Sequence, residues 1–348
     1  MTQFSSKLIN WHRESGRKDL PWQINKTPYK VWISEIMLQQ TQVKTAIPYF
    51  KKFMKKFPNI SKLADAHQDE VLALWSGLGY YARARNLQKA AIILKQDFNS
   101  LMPDTIHKLI DLPGVGRSTA GAIVSLGFNK KAPILDGNVK RVLSRYRNIQ
   151  DDITKTKVLN NLWTVSEELL PEIGFSIYNQ SLMDLGATIC KRTNPLCNSC
   201  PISTKCRAKA KNTIHLIPYK NKRKKKPIKK VFWLLPYTDS GHIYLRKRPS
   251  KGLWGGLWTF LEDDDLKGLI KVNNIKLKIN KKFLLKYITV KHSFSHYKLE
   301  ADLYLIKSED CKNVRHWKKI SDLENLGMPK PVTDVINKIK DNGKISIL

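Results

Sequence analysis

Up to about residue 215 the chain is patterned for helices. Between residues 29 and 57 apolar side chains return at helical spacing: Val31, Trp32, Ile36, Val43, Ile47, Phe50 and Phe53. Thr27 and Pro28 supply an N-cap and a first-turn proline, and Pro48 predicts a break. The same spacing predicts helices over 69–76, 82–96, 105–109, 118–126, 139–146, 155–170 and 177–186. After residue 230 the texture changes to short runs of aromatic and β-branched residues. They predict strands over 231–237, 242–248, 258–261, 287–291 and 298–306, closed by a helix over 332–340. The stretch between, PYKNKRKKKPIKK (218–230), holds eight Lys or Arg and two Pro in thirteen positions, too polar to pack. The expected organisation is an all-α domain over 1–215, a basic linker over 216–230 and a smaller α+β domain over 231–348.

The 348 residues carry 62 Lys or Arg against 29 Asp or Glu, a formal charge of +33. An apolar content of 42% allows a sizeable core and excludes a disordered basic tail. The excess favours a polyanion partner such as nucleic acid. A lysine-rich genomic bias over a plain solvated surface accounts for part of it, since 48 of the 62 are Lys. The longest uninterrupted apolar runs, 90–94 and 231–235, are far too short to span a bilayer. The N-terminal MTQFSSKLINWHRE lacks an apolar core of signal-peptide length. The expectation is a cytoplasmic or nucleoid-associated chain.

Four of the five cysteines, Cys190, Cys197, Cys200 and Cys206, fall in the spacing C-x6-C-x2-C-x5-C. In a reducing compartment such clustering points to a metal centre rather than disulfides. Zinc ribbons usually show two CxxC pairs, whereas here one compact loop supplies all four thiolates. That suits a cubane iron–sulfur cluster better, with zinc as the alternative. Lys191, Arg192, Lys205 and Arg207 interleave with the ligands. Cys311 stands alone and reads as a small buried hydrophobe.

Two carboxyls attract attention. Glu35 has Val31, Trp32 and Leu38 as helical neighbours, and apolar surroundings would raise its pKa and make it a proton donor. Asp136 precedes a helix expected from about Asn138, where amides would keep it ionised and able to stabilise a cationic sugar. Each has an ordinary reading, a surface glutamate and a capping aspartate. Together they form a pair with opposed environments. Upstream lies LPGVGRS (112–118), a turn between helices whose Gly114 and Gly116 would aim backbone N–H groups at a phosphate.

LPGVGRSTA, then LDGNVKRV, then the cysteine loop resemble the helix-hairpin-helix superfamily of base-excision DNA glycosylases that carry one [4Fe–4S] cluster. Within it, SEIMLQQTQV (34–43) and GLGYYARARNL (77–87) resemble the MutY-type adenine DNA glycosylases. The likeness is nearly continuous over 8–210. It is patchy beyond, in RPSKGLWGGLWTF (248–260), VKHSFSHYKLEADLY (290–304) and MPKPV (328–332). The resemblance implies a mainly α fold, a helix-hairpin-helix glycosylase domain with a cluster loop over 190–206, followed by a Nudix-like module. It implies removal of adenine mispaired with 8-oxoguanine or guanine in double-stranded DNA, by a monomer without membrane attachment. By motif position, Glu35 would protonate adenine N7, Asp136 would stabilise the oxocarbenium-like sugar and Asn138 would orient the pair. The flipped base would sit among Trp22, Gln23, Leu38 and Gln180. Gln40 and Tyr80 would fill the gap near 8-oxoguanine, the Gly114–Gly116–Ser118 hairpin would hold the backbone, and Phe294, Ser295 and His296 would read the damaged base.

Relatives of the endonuclease III type, the rival enzyme reading, carry a lysine where this chain has Ser118. A serine forms no Schiff base, so the expectation is a monofunctional enzyme. A Nudix hydrolase needs an REXXEE-type box. The chain reads LEDDDLKGLIKVNN at that place, so the second module is expected to recognise rather than hydrolyse.

Overall fold

The computed structural model describes residues 2–221, 226–277, 284–308 and 315–341. Its elements in chain order are α1 (Gln3–Ser15), α2 (Pro28–Leu38), α3 (Val43–Lys56), α4 (Ile60–Ala64), α5 (Gln68–Leu74), α6 (Ala82–Asp97), α7 (Ile106–Ile110), α8 (Arg117–Ala122), α9 (Gly137–Arg147), α10 (Thr156–Glu168), α11 (Phe175–Thr188) and α12 (Arg207–Ala210). The strands β1 (Ile228–Tyr237), β2 (His242–Tyr244), β3 (Arg246–Lys247), β4 (Trp258–Thr259) and β5 (Leu261–Asp263) follow, then α13 (Leu266–Leu277), β6 (Leu285–Ser293), β7 (Lys298–Lys307), β8 (Trp317–Lys319) and α14 (Lys330–Asp341). The chain is helical first and α+β afterwards, as its patterning predicts. Among the described residues no helix is long and apolar enough to cross a membrane.

Two compact units form, and they do not follow chain order. One holds residues 1–65 and 86–223; the other holds 66–85 together with 224–348. The first unit is a helical body. Its α11 packs against α1 and α9, and α2 packs against α3, α8 and the π-helical turn Ile123–Gly127. That turn continues α8, so the helix expected over 118–126 changes winding at Ile123. The helix expected over 29–57 breaks at Gln39–Gln42, not at Pro48. Gln40 takes a left-handed φ of 58° and ends α2. Pro48 lies inside α3, where losing one backbone bond is tolerated because Ala46, Phe50 and Phe53 are buried along one face. Helix α1 is not among the helices that the spacing predicts. Thr2 caps it, and Phe4, Leu8, Ile9 and His12 line its buried stripe.

The second unit is built on a sheet of order β6-β7-β1-β2-β8, with β5 also on β1 and β1 parallel to β7. Along β7 burial alternates, so Leu299, Ala301, Leu303 and Leu305 face the core. Leu234, Tyr244, Leu261, Leu269, Ile306 and Trp317 form one buried cluster. The strands expected over 242–248 and 258–261 are each divided. Leu245 donates to His316, whereas Arg246 and Lys247 turn away to pair with Thr259 and Trp258.

The stretch expected to be an exposed linker is bound at both ends. The Ile153 amide donates to the Tyr219 carbonyl at 3.2 Å and the Asn221 amide to Asp152 at 3.4 Å. Ile228 to Lys230 begin β1 and pair with Lys298 to Glu300. Their side chains stay exposed, so a polar sequence is compatible with a paired backbone. Residues 222–225 and Cys311 lie outside the described residues.

Candidate active site

In the first unit a cavity of about 480 Å³ opens between α2, α8, α9 and α11. Its lining includes Trp22, Gln23, Glu35, Leu38, Gln40, Ser118, Asp136, Asn138 and Gln180. Residues far apart in the chain thus converge on one space large enough for a small ligand. Arg17, Lys26 and Met183, none of them predicted from the sequence, also line it. Nothing in their local pattern marks them.

Asp136 caps α9. Its Oδ1 accepts from the Val139 amide at 2.7 Å and its Oδ2 from Asn138 Nδ2 at 3.2 Å. Asn138 Oδ1 accepts in turn from Arg141 at 2.9 Å, which fixes the orientation of the Asn138 amide. Helix α11 comes very close here. A Cβ on Gly186 would lie 2.6 Å from Asn138 Cβ, so only glycine fits. Ser118 Oγ accepts from the Leu135 amide at 3.1 Å and ties the loop before Asp136 to the hairpin. In that hairpin Gly114 adopts a φ of +81°, a conformation natural to glycine.

The electrostatics depart from the sequence expectation at one acid. Burial and the neighbouring charge of Asp136 push Glu35 up to about 8, so it keeps its proton at neutral pH. Asp136 was expected to be held low by helix amides. Burial instead raises it, outweighing the bonds from Val139 and Asn138 and the charge of Arg141. Cavity enclosure therefore acts on both acids, more strongly than one helix terminus can offset.

Asp184 behaves in the opposite way. It is completely buried. Burial alone would raise its pKa, but His12 and Arg17 together hold it below the usual range. Arg17 donates its backbone N–H to Oδ2 at 3.0 Å, and its Nε and Nη2 to Oδ1 at 3.1 and 2.5 Å. His12 Nε2 lies 3.3 Å from Oδ2. Gln180 Nε2 donates to Oδ1 at 3.1 Å. Gln23 contributes a different kind of group, an amide whose Nε2 and Oε1 are both buried without a hydrogen-bond partner among the described residues.

A second, smaller cavity in the same unit is ringed by Cys190, Cys197, Cys200 and Cys206 with Val142, Arg145, Leu185 and Ile202. Among the described residues no three His, Cys, Asp or Glu close around a single ion point; the four sulfurs border a shared space. Buried Arg145 donates to Cys190 Sγ at 3.4 Å and to the carbonyls of Lys191, Arg192 and Ile217. Arg141 donates to the Cys190 carbonyl at 2.7 Å, so one side chain touches both the cysteine loop and Asn138. Burial, with the charges of Cys190, Cys206 and Cys197, pushes the Cys200 thiol up to about 12. Thiolates at this spot need a cationic group among them. An all-thiolate donor set around a cavity with cationic side chains fits an iron–sulfur cluster. Lys191, Arg192, Lys205 and Arg207 are exposed around the loop.

The remaining candidates fall in the second unit. Phe294 to Tyr297 turn the β6–β7 hairpin, with the Phe294 amide bonded to the Tyr297 carbonyl at 2.9 Å. The Phe294 ring packs among Trp254, His292 and Tyr297, whereas Ser295 and His296 are exposed at the tip. Lys226 Nζ donates to the Phe294 carbonyl at 2.6 Å. Tyr80 is 49% exposed, with a φ of 50° in a turn that also holds Gly77 and Gly79 at positive φ. Ser76 Oγ and the Tyr81 hydroxyl both donate to the Met328 carbonyl, at 2.9 and 3.1 Å. The aspartate run after β5 serves structure. Asp265 caps α13 through the amides of Lys267 and Gly268, and Asp264 pairs with Lys229 at 3.4 Å.

The helical fold, its hairpin and its carboxyl-lined cavity define the class. The sequence pattern of the HhH-GPD superfamily base excision DNA repair proteins matches residues 33–168, and that of the NUDIX domain matches 231–338. A solved thermostable thymine-DNA glycosylase superposes with a TM-score of 0.55 at 29% identity, over 60% of this chain and 95% of that one. The adenine DNA glycosylase of Buchnera aphidicola subsp. Baizongia pistaciae (strain Bp) is 44% identical over 351 residues, 97% of either chain. That of Buchnera aphidicola subsp. Acyrthosiphon pisum (strain APS) is 42% identical over 348 residues, 97% of this chain and 98% of its own. The chain belongs to the adenine DNA glycosylase family, base-excision repair enzymes that hydrolyse N-glycosidic bonds in DNA. Proteins of this endonuclease III- and MutY-like class carry a [4Fe–4S] cluster, and the four cysteines for one are present.

Proposed function

We propose that this enzyme excises adenine paired with 8-oxoguanine, or with guanine, and leaves an abasic site without cutting the strand. The observation that carries the reading is the cavity that encloses Glu35 and Asp136 together, with Glu35 protonated at neutral pH. The flipped adenine sits among Trp22, Gln23, Leu38 and Gln180. Glu35 donates its proton to N7 and makes the base a better leaving group. Asp136, ionised in the working enzyme, stabilises the cationic sugar. Asn138 holds the Asp136 carboxylate in line through its Nδ2. Ser118 offers a hydroxyl already engaged with Leu135, and no amine for a Schiff base.

Gln40 and Tyr80 occupy the gap beside the opposite base, the Gly114–Gly116 turn takes a phosphate, and Phe294, Ser295 and His296 read 8-oxoguanine. Cys190, Cys197, Cys200 and Cys206 hold one [4Fe–4S] cluster, which when bound pins a basic loop for contact with the DNA backbone. The protein works as a monomer in the compartment that holds the DNA.

Single-turnover base release from A:8-oxoguanine, A:G and thymine-glycol duplexes tests this. The expected order is A:8-oxoguanine ahead of A:G, with nothing from thymine glycol and strand breaks only after alkali. Cleavage of the thymine-glycol duplex without alkali would restore the endonuclease III reading. Iron and sulfide assays decide the metal; stoichiometric zinc in a colourless protein would exclude the cluster.

A further inference from the structure

We infer that Asp184 is a positioning residue that selects adenine by fixing which end of the Gln180 amide faces the cavity. This rests on the adenine reading above and adds how the base is chosen. Both residues lie on α11, one turn apart. Such a pair is often no more than a helix-stabilising contact. Here Asp184 is fully buried and held by Arg17 through three donors, with His12 Nε2 nearby, so its carboxylate is fixed in place. A carboxylate clamped by cations is an acceptor only. It therefore takes the Nε2 end of Gln180, as the 3.1 Å contact shows, and leaves the carbonyl Oε1 for the cavity that Gln180 lines.

The consequence is chemical. Adenine carries an amine at C6, a donor, whereas guanine and hypoxanthine carry an oxygen acceptor there. A fixed carbonyl in the wall welcomes the amine and opposes the oxygen. Were the amide free to turn, its NH₂ end would serve a 6-oxo purine equally well. Selection against the wrong base would then rest on shape alone, which is weak for atoms of similar size.

The test is the ratio of single-turnover release rates for adenine and hypoxanthine, each opposite 8-oxoguanine in the same duplex. Native protein should favour adenine strongly. Asp184→Asn keeps the shape but can donate, so the ratio should fall by about tenfold or more. In a Gln180→Leu background the ratio should already be low, and adding Asp184→Asn should not lower it further. Should Asp184→Asn not fold, the paired Arg17→Met/Asp184→Leu replacement removes both buried charges and serves in its place, with the same fall in the ratio expected. Equal slowing of both bases with an unchanged ratio would show a purely structural Asp184 and overturn the inference. So would a native ratio retained in Gln180→Leu. Failure of the native protein to release adenine at all would instead strike the function proposed above.

Discussion

The cavity of the first unit and the β6–β7 hairpin of the second treat their polar groups in opposite ways. In the cavity, polar groups are enclosed, and enclosure changes their chemistry: Glu35 rises to about 8. At the hairpin, aromatic rings pack among themselves, and Ser295 and His296 stand exposed at the tip. A group that must gain or lose a proton is best buried. A group that must read a base edge is best presented on a rigid turn. The interior of the first unit repeats the lesson on a smaller scale. Asp136 and Asp184 are both enclosed, yet one is raised and the other lowered, because Asp184 has Arg17 and His12 as direct partners and Asp136 has chiefly neutral amides.

The sharpest way to break the comparison is to neutralise the enclosed acids. Asp136→Asn and Glu35→Gln should each slow adenine release at least about a thousandfold while duplex binding persists, measured by single-turnover kinetics and gel shift. Turnover within tenfold of native in either variant would mean the cavity is not the reaction site.

A second, intermediate effect concerns pH. Because Glu35 must enter protonated, release should hold up to about pH 8 and fall above it. The same shift has a cost in stability. A folded pKa of about 8 above an ordinary 4.5 stabilises the fold at acid pH, and that contribution is lost as pH rises between the two. Glu35→Gln should therefore stabilise the protein by up to roughly 3 kcal/mol near pH 7 and by almost nothing near pH 4. Thermal melts at both pH values decide it; an equal Tm change at both would show that Glu35 is not desolvated as the structure has it.

The smallest effect lies at the exposed hairpin. Ser295→Ala should leave release from A:G intact and reduce the preference for A:8-oxoguanine by about three- to tenfold, the value of one hydrogen bond. An unchanged preference would move damage recognition elsewhere in the second unit.

Much of this was readable in the residues. Periodicity located most helices, because an amphipathic stripe needs only local spacing. The pairing of Glu35 with Asp136 and of the four cysteines followed from residue type and motif. The break of the long helix at Gln40 was missed, since Pro48 carries the louder signal while a left-handed glutamine carries none. The division of the strands after β1 was missed for a related reason. A β-branched run shows that it extends, not which partner it meets.

By itself the sequence determined the helical and α+β halves, the acids, the cysteines and the family to which the motifs belong. It could do so because each rests on side-chain type at short range. Only the tertiary structure decided that residues 66–85 join the second unit, that Arg17 and Asp184 stand behind Gln180, and that Asp136 is raised rather than held low. These depend on enclosure and on partners more than a hundred residues away in the chain. Solvation and long-range pairing are properties of the packed chain, and no local pattern of residues encodes them.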